Sequence, residues 1–437
     1  MDTDTPIENP GDFSVLQQGL IDQLKNYGLL TSPKVEAAMH AVPRHLFLPD
    51  LPLDQVYRNE AIVTKREGER PLSSSSQPSA MVTMLEQLAL EPGHHVLEIG
   101  AGTGFNAALM AELVGETGTV TTIDLDEETV REAREHLAAA GFERVRVHCA
   151  DGAFGYPDSA PYDRIILTVG ADEVPPAWSE QLKPGGRLVV PLVILPNGMQ
   201  RTIGFEHGER CLVSTSLTHC FFMPLRGALP AVHIGEERRI ELGPEPGLRL
   251  HLNGDEQRPV DAELIYRLLT GPSRDYPTGI SVSIHEVFSR YALWSMLNRI
   301  NSEDEYFHCG ITAEGEMTNR GLVPYLVGQE GKFCSTGGLL KGESLALWMR
   351  SAGRPLPPEN KRDEASFENF EISIRSYGPD PSLVEYLIER ISQWDAAGRP
   401  PDERRFRIRA YGLDTDYTPL PNEILVDRRV TRLIIDW

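Results

Sequence analysis

The sequence predicts a doubly wound α/β fold around a parallel sheet, followed by a C-terminal α+β domain. Residues 94–230 alternate short β-rich runs with helical runs, which is typical of parallel strands connected by covering helices. A glycine-rich turn joins the first of these strands to the helix after it. The last seventy or so residues instead follow a strand, helix, strand, strand pattern, which favours an antiparallel sheet with one helix packed on it.

The elements can be assigned in chain order. Residues 13–48 predict helices, with a break at Pro43. The predicted strands and helices of the α/β region are HHVLEI (94–99), AALMAELV (107–114), TVTTID (119–124), EETVREAREHLAAAG (127–141), VRVHCA (145–150), RIILTV (164–169) and GRLVVPLV (186–193). An apolar stripe at helical spacing over residues 284–294 predicts a core-facing helix.

These patterns divide the 437 residues into three parts. Residues 1–227 form the predicted α/β domain. Residues 228–262 are rich in proline, glycine and charge and predict an irregular linker. Residues 263–437 form the predicted C-terminal α+β domain.

Composition excludes several classes of protein. The net charge of −22 repels phosphate backbones, so we expect no nucleic-acid partner. The longest apolar run is interrupted by Pro191 and is too short for a membrane span, so no membrane partner is expected. Five cysteines without a CxxC pair indicate neither a disulfide framework nor a metal site. The acidic N-terminus does not resemble a signal peptide, and these features together predict a cytoplasmic protein.

The glycine turn VLEIGAGTGFNAALM predicts a cofactor site. Gly100, Gly102 and Gly104 let the backbone approach a ligand at the end of the first strand, and Asp124 ends the next strand, where a carboxylate can bind a ribose diol. A dinucleotide-binding oxidoreductase would use G-x-G-x-x-G, whereas the spacing here is G-x-G-x-G preceded by Glu98. A glutamate suits a cation better than a pyrophosphate. The pattern therefore favours S-adenosyl-L-methionine as cofactor, with S-adenosyl-L-homocysteine as product.

A third strand ends at Asp151 and Gly152. The Asp151 carboxylate can accept a hydrogen bond from the adenine amine, and its alternative role is to cap a helix or turn. Its position beside Glu98 and Asp124 favours cofactor binding. Leu125 and Thr168 complete the expected cofactor-binding set.

Two segments then resemble a known family. SSSQPSAMV (74–82) and ADGAFGYPDSAPYDRIILTVGADEVPPAWSEQLKPGGRLVVPL (150–192) are similar to protein-L-isoaspartate O-methyltransferases, and the resemblance covers roughly residues 15–226. It implies a Rossmann-like class I methyltransferase domain that uses S-adenosylmethionine. It also implies transfer of a methyl group to an aspartyl or isoaspartyl carboxylate of a peptide or protein.

The resemblance assigns the acceptor site as well. Ser76 takes the place of the serine that contacts the acceptor carboxylate, and Ser74 the place usually held by threonine, so the serine segment is interpreted as an active-site loop rather than a linker. The expected substrate-binding residues are Ser75, Gln77, Ser79, Val169, Gly170 and Asp172. Ser79 and Asp172 depart from the family pattern, which puts the usual isoaspartyl specificity in question.

A narrower resemblance lies at the far end of the chain. The pattern SYGPDP, a helix ending in QWD and a strand pair ending in IIDW resemble the tails of relatives that accompany ribosomal peptide natural products such as lanthipeptides and graspetides. These relatives methylate a precursor aspartate, and the ester closes to a succinimide (aspartimide). We therefore expect peptide tailoring. The alternatives are housekeeping isoaspartyl repair and a non-catalytic partner that binds the cofactor and presents the peptide.

The chemistry requires neither a metal nor a general base. A carboxylate with a pKa near 4 is already ionised at neutral pH and can attack a sulfonium methyl directly.

Arginines concentrate in the C-terminal region, where they could bind an acidic peptide or balance local acidic side chains. These arginines are Arg405, Arg407, Arg409, Arg428, Arg429 and Arg432.

Overall fold

The structure, a computed structural model, describes residues 13–68, 70–194, 200–231, 238–252, 259–284, 286–298, 306–329, 331–351, 369–400, 406–420 and 423–436. Two compact units divide these residues. The first comprises the described residues up to Ile194, residues 200–231 and Arg407–Asp436. The second comprises the described residues between 238 and 406. No helix in the described ranges is both long and apolar enough to cross a membrane.

The first unit begins with helices and a hairpin that precede the parallel sheet. Helices α1–α3 span Phe13–Asn26, Pro33–Ala41 and Leu53–Val56. Strands β1 (Ile62–Glu67) and β2 (Arg70–Ser75) form an antiparallel hairpin, and α4 follows at Pro78–Leu88. Proline at the start of α2 and of α4 suits a first helical turn, where its missing N–H has no partner to lose.

The predicted alternation of strands and helices is confirmed. Strands β3–β7 span His95–Ile99, Thr119–Asp124, Arg146–Cys149, Tyr162–Leu167 and Leu182–Val193. Helices α5–α7 span Phe105–Val114, Glu127–Ala139 and Pro176–Glu180. The strands pair in parallel in the order β7-β6-β3-β4-β5, so the chain reverses direction across the sheet at β3. Ligands bind at such a switch point in open α/β sheets.

The same sheet continues with antiparallel strands. Strands β8 (Gln200–His207) and β9 (Leu212–His219) follow β7 as a meander. The last three strands of the chain then extend this sheet beyond β9 in the order β18-β20-β19. They span Arg407–Gly412 (β18), Glu423–Asp427 (β19) and Thr431–Asp436 (β20).

The second unit contains an eight-stranded antiparallel sheet in the order β10-β11-β13-β15-β16-β17-β12, with β14 paired to β15. Its strands β10–β17 span Arg238–Glu241, Leu248–Leu252, Ser273–Val282, Phe307–Glu314, Val327–Gln329, Phe333–Lys341, Ser344–Arg350 and Phe370–Tyr377. Its helices α8–α10 span Ala262–Thr270, Ala292–Leu297 and Ser382–Ala396, and a π-helical turn (Glu286–Tyr291) precedes α9.

The units differ from the predicted domain boundaries in two ways. The segment 228–262, predicted as a linker, contributes β10 and β11 to the second sheet. The predicted C-terminal domain 263–437 is divided, because β17 and α10 belong to the second unit while β18–β20 belong to the first. The apolar stripe at 284–294 does pack into the core of the second unit, as predicted.

Candidate functional site

The glycine turn after β3 forms a cradle that only glycine can build. Gly100, Gly102 and Gly104 have φ angles of 105°, 50° and 87°, a region that residues with a side chain rarely adopt. A Cβ atom at Gly100 would lie 2.5 Å from the Thr168 hydroxyl, and one at Gly102 would lie 3.2 Å from the Ser74 carbonyl oxygen. Gly100 and Gly102 therefore expose backbone to the adjoining cavity. Gly104, also expected to bind the cofactor, does not line that cavity among the described residues and instead lies at the N-cap of α5, packed against Leu137.

Glu98 lies beneath this turn and is fully buried. Its carboxyl oxygens accept hydrogen bonds from Asn106 Nδ2 at 2.8 Å and from Thr122 Oγ1 at 2.6 Å. Burial raises the pKa of Glu98 to about 7, because the charged form is poorly solvated there. No Lys, Arg or His pairs with Glu98 among the described residues. A cationic ligand would supply the positive partner that the ionised Glu98 carboxylate lacks among these residues.

Asp124 ends β4 at the opposite side of the turn. Its carboxyl oxygens accept hydrogen bonds from the backbone N–H groups of Gly102, at 3.4 Å, and Asp126, at 3.2 Å. Burial raises the pKa of Asp124, and the charge of Arg226 partly opposes that shift. The carboxyl lines the cavity, where it can accept hydrogen bonds from a diol.

One cavity, called the first cavity below, is lined both by the expected cofactor residues and by the serine segment. The predicted site residues that line it are Ser74, Ser75, Ser76, Glu98, Gly100, Gly102, Asp124, Leu125, Gly152, Thr168 and Val169. Met223–Arg226, the segment after β9, closes another side. No three metal-ligating side chains cluster anywhere in the described ranges. Backbone N–H groups, buried carboxyls and hydroxyls thus suit an adenosine ligand with a cationic centre.

Asp151 forms the capping contacts that were the alternative to its expected role in binding adenine. One carboxyl oxygen accepts from the Ala153 N–H at 2.9 Å and caps the short 3₁₀ turn Gly152–Phe154. The other accepts from the Ala228 N–H at 2.7 Å. Asp151 itself is not among the described residues that line the cavity. Its neighbour Gly152 does line the cavity, as predicted.

A second cavity of about 530 Å³ adjoins the first, and both are lined by Ser74, Ser76, Thr168 and Met223. Gln77 and Ser79 line the second cavity as predicted. Other walls come from segments that the sequence did not indicate, such as Val63 of β1 and Phe221 after β9. No aspartate, glutamate, lysine or arginine lines it in the part of the chain that the structure describes.

The serine segment is only partly the expected loop, because Ser73–Ser75 belong to strand β2 while Ser76 follows that strand. Ser74 and Ser75 pair with Val63 and Ile62 of the hairpin. Gln77 precedes α4, and its Nε2 donates to the Asn59 carbonyl oxygen at 2.9 Å. The hairpin therefore holds the serines at the boundary of the two cavities more firmly than a loop would.

Two expected substrate residues lie elsewhere. Gly170 donates through its N–H to Met223 O at 2.7 Å and accepts from the Leu225 N–H at 2.7 Å, so it fixes the wall segment without lining either cavity. Asp172 is buried and lines neither cavity among the described residues. It lies near Arg428, whose lowered pKa is caused by burial and opposed by the charge of Asp172.

The fold and the cavities define a class I S-adenosylmethionine-dependent methyltransferase: the parallel sheet, the glycine cradle at its switch point and the acid at the end of β4 all agree. Comparison with known proteins then gives the family. Protein-L-isoaspartate(D-aspartate) O-methyltransferase matches residues 15–229, and the chain belongs to this family.

Curated relatives support this assignment over the first half of the chain. A Methanopyrus kandleri protein-L-isoaspartate O-methyltransferase is 42% identical over 41% of this chain and 78% of its own length. One from Hyperthermus butylicus is 37% identical over 49% of this chain and 90% of its own. One from Thermotoga maritima is 39% identical over 47% of this chain, and the match covers 64% of that relative, slightly less than two thirds. A solved structure titled protein-L-isoaspartate O-methyltransferase is 25% identical, covers 90% of this chain and 96% of its own, and has a TM-score of 0.48.

Proposed function

We propose that this protein transfers a methyl group from S-adenosylmethionine to the free α-carboxylate of an L-isoaspartyl residue, whose side-chain carboxyl forms the peptide bond, in peptides or proteins. The observation that carries the proposal is the shared lining of the two cavities. Ser74, Ser76, Thr168 and Met223 line both the cofactor cavity and the second cavity. An acceptor in the second cavity would therefore meet the cofactor at these residues.

The chain's residues position the acceptor rather than activate it. The cofactor supplies an electrophilic methyl group, and the acceptor carboxylate is already ionised at neutral pH. The hydroxyls of Ser74 and Ser76 can donate hydrogen bonds to one carboxylate oxygen while the other remains available for attack. Holding the two reactants in line can contribute roughly 7–11 kcal/mol to the lowering of the barrier.

The ester product then reacts further without help from the enzyme. The neighbouring backbone amide nitrogen attacks the ester carbonyl, methanol leaves, and a five-membered succinimide ring forms. Hydrolysis of this ring returns part of the isoaspartate to aspartate. The names of the similar proteins favour this repair function over the tailoring function expected from the C-terminal resemblance.

Tailoring of a precursor peptide is the finer hypothesis. What supports it is that the second unit and strands β18–β20 lie outside residues 15–229, the region that the family model matches. The arginine cluster gives it little support. Arg409 pairs with Glu423 and Asp436, Arg429 with Glu173, and Arg432 with Asp427, so local acids already balance these charges. Arg405 lies outside the described residues.

One pair of peptides tests the proposal. Two synthetic peptides of identical sequence, one with L-isoaspartate and one with L-aspartate, are incubated with the full chain and S-adenosylmethionine and analysed by mass spectrometry. We expect a mass increase of one methyl group, followed by succinimide, only for the isoaspartyl peptide. Methylation of the aspartyl peptide alone would favour tailoring, and methylation of neither would refute the proposal.

A variant separates catalysis from peptide presentation. Ser76→Ala should lower kcat/KM for the isoaspartyl peptide by about tenfold or more while leaving S-adenosylmethionine affinity unchanged, because one donor to the carboxylate is lost. Ser179→Ala, a change on helix α7 outside both cavity linings, is the control.

A cytoplasmic location belongs to this proposal too, and it is supported by the five free cysteines.

A further inference from the structure

Arg44 is a buried cation directly behind the serine segment. It begins the 3₁₀ turn Arg44–Phe47 and is only 1% exposed. On one side its Nη1 atom donates to the carbonyl oxygens of Val56, at 2.8 Å, and Arg58, at 3.1 Å. Arg44 thus connects the helical N-terminal region to the segment that leads into the β1–β2 hairpin.

On the other side the guanidinium reaches the acceptor site. Its Nη2 atom donates to Ser75 Oγ at 3.3 Å and to the carbonyl oxygen of Ser76 at 3.2 Å. Ser76 lines both cavities and Ser75 lines the first. One hydrogen bond therefore separates the buried charge from residues that face the reacting groups.

Within the described residues, no carboxylate forms an ion pair with Arg44. Its partners are carbonyl and hydroxyl oxygens, and the Phe105 ring lies 5.9 Å from its guanidinium carbon. Burial lowers the pKa of Arg44 to about 10, which still leaves it charged at neutral pH. A buried charge without a partner of opposite charge is costly, so a carboxylate bound nearby would lower this cost.

We propose that Arg44 is a positioning residue that makes the second cavity select an anionic acceptor. It holds Ser75 and Ser76 in place, and its charge favours a carboxylate at these serines over a neutral group of the same shape. This role fits the second cavity, whose described lining contains no lysine or arginine of its own. The inference rests on the proposed function, because the acceptor is taken to be a carboxylate.

The test compares two ligands that differ only in charge. One is the isoaspartyl peptide with its free carboxylate, and the other is the same peptide with that carboxylate replaced by a carboxamide. Affinities are measured in the presence of S-adenosylhomocysteine for the full-length wild type, for the neutral variants Arg44→Gln and Arg44→Met, and for Arg44→Lys. Arg58→Met, which removes an exposed arginine paired with Asp54, is the control.

We expect the wild type, Arg44→Lys and Arg58→Met to prefer the anionic peptide. In the neutral variants the ratio of the affinity for the anionic peptide to that for the neutral peptide should fall about tenfold, because an attraction in a poorly solvated site has been removed. Equal weakening of both peptides would show that Arg44 only maintains structure and would overturn the inference. If neither neutral variant folds, Arg44→Lys decides, since loss of the charge preference in that folded variant would also overturn it.

The two proposals fail in different ways. If the wild type methylates no isoaspartyl peptide, the proposed function is wrong. If the wild type methylates the peptide and the neutral variants keep the full charge preference, only the assignment of Arg44 is wrong.

Discussion

The hydroxyl of Thr168 donates a hydrogen bond to the carbonyl oxygen of Gly100 at 2.6 Å, which fastens the end of β6 to the glycine turn after β3. The same hydroxyl lies 2.5 Å from where a Cβ atom at Gly100 would be. The contact that shapes the cofactor cradle is thus also the contact that excludes any side chain from it.

Replacing Gly100 by alanine should therefore disrupt cofactor binding. The variant must adopt a φ of 105° and displace Thr168, so we expect S-adenosylmethionine affinity to fall by at least about tenfold. Isothermal titration calorimetry measures this. The control is Gly19→Ala in α1, where a new Cβ has open space and alanine favours the helix. Wild-type affinity in Gly100→Ala would contradict the description of the cradle.

Glu98 should make the stability of the unliganded protein depend on pH. Burial raises its folded-state pKa to about 7, above its ordinary value of 4.5. A raised pKa contributes stability that is fully present below the unfolded value and is lost as the pH rises through the folded value. For Glu98 this contribution to the free energy of unfolding amounts to roughly 3 kcal/mol at low pH. It is lost as the pH rises from about 4.5 to about 7.

The variant Glu98→Gln isolates this effect. The free energy of unfolding of the wild type minus that of the variant should decrease as the pH rises from about 5 to about 8, because only the wild type must ionise a buried carboxyl. Chemical denaturation at several pH values measures the difference. Saturating S-adenosylmethionine should flatten it, since the cation favours the ionised form. A difference that does not change with pH would refute the role assigned to burial.

Phe221 should determine which peptides bind well. It lines the second cavity, yet 79% of it is exposed, and an exposed aromatic side chain at a cavity rim is a frequent anchor for a ligand. We expect Phe221→Ala to raise KM about fivefold for an isoaspartyl peptide with an apolar neighbouring residue, and to have little effect when that neighbour is glycine. The value of kcat should not change.

Leu420→Ala is the matched control for Phe221. Leu420 is also a large exposed apolar residue, with 59% of its surface accessible, but it lines neither cavity. Steady-state kinetics with the two peptides should show no change for this variant. An equal rise in KM for both peptides in Phe221→Ala would rule out selection of the neighbouring side chain.

The C-terminal strands should be essential for the stability of the first unit. Strand β18 pairs with β9, and the N–H of Ile408 donates to Ser214 Oγ at 2.8 Å. Buried Glu173 accepts from the backbone N–H groups of Arg429, at 3.0 Å, and Val430, at 3.1 Å. Ending the chain at residue 406 would expose the β9 edge and remove several fully buried isoleucine and leucine side chains, each contributing about 1.5–3 kcal/mol.

We therefore expect the chain that ends at residue 406 to unfold at a much lower temperature, or to be recovered unfolded, as measured by differential scanning calorimetry. Asp427→Ala, which breaks an exposed ion pair with Arg432, should change the stability by less than about 1 kcal/mol. A truncated chain with wild-type melting temperature would contradict the ten-stranded sheet.

The sequence predicts the parallel part of the fold well, and the reason is local. The alternation of strand and helix patterns predicts strands β3–β7, and right-handed crossovers leave few ways to arrange them in a sheet. Strands β18–β20 are equally clear as strands, but their pattern does not indicate which sheet they join. Strands β10 and β11 were missed because a proline- and glycine-rich composition is also compatible with short strands at the edge of a sheet.

The site shows the same division. Gly100, Glu98 and Asp124 follow predicted strands, so their meeting at one sheet edge could be expected. Phe221 and Arg44 could not be assigned to the site, because their places depend on how distant segments pack. The sequence left two roles open for Asp151, and its hydrogen bonds with the Ala153 and Ala228 amides show the capping role, which depends on the local backbone path.

The central claim is that the cavity at the carboxyl end of β3 and β4 binds S-adenosylmethionine. Calorimetric titration of the full-length protein tests it most directly, with Asp124→Ala as the variant that removes the proposed ribose acceptor. We expect saturable binding, competition by S-adenosylhomocysteine and weaker binding in Asp124→Ala. Saturable binding of a nicotinamide or flavin nucleotide with no heat from S-adenosylmethionine would contradict it.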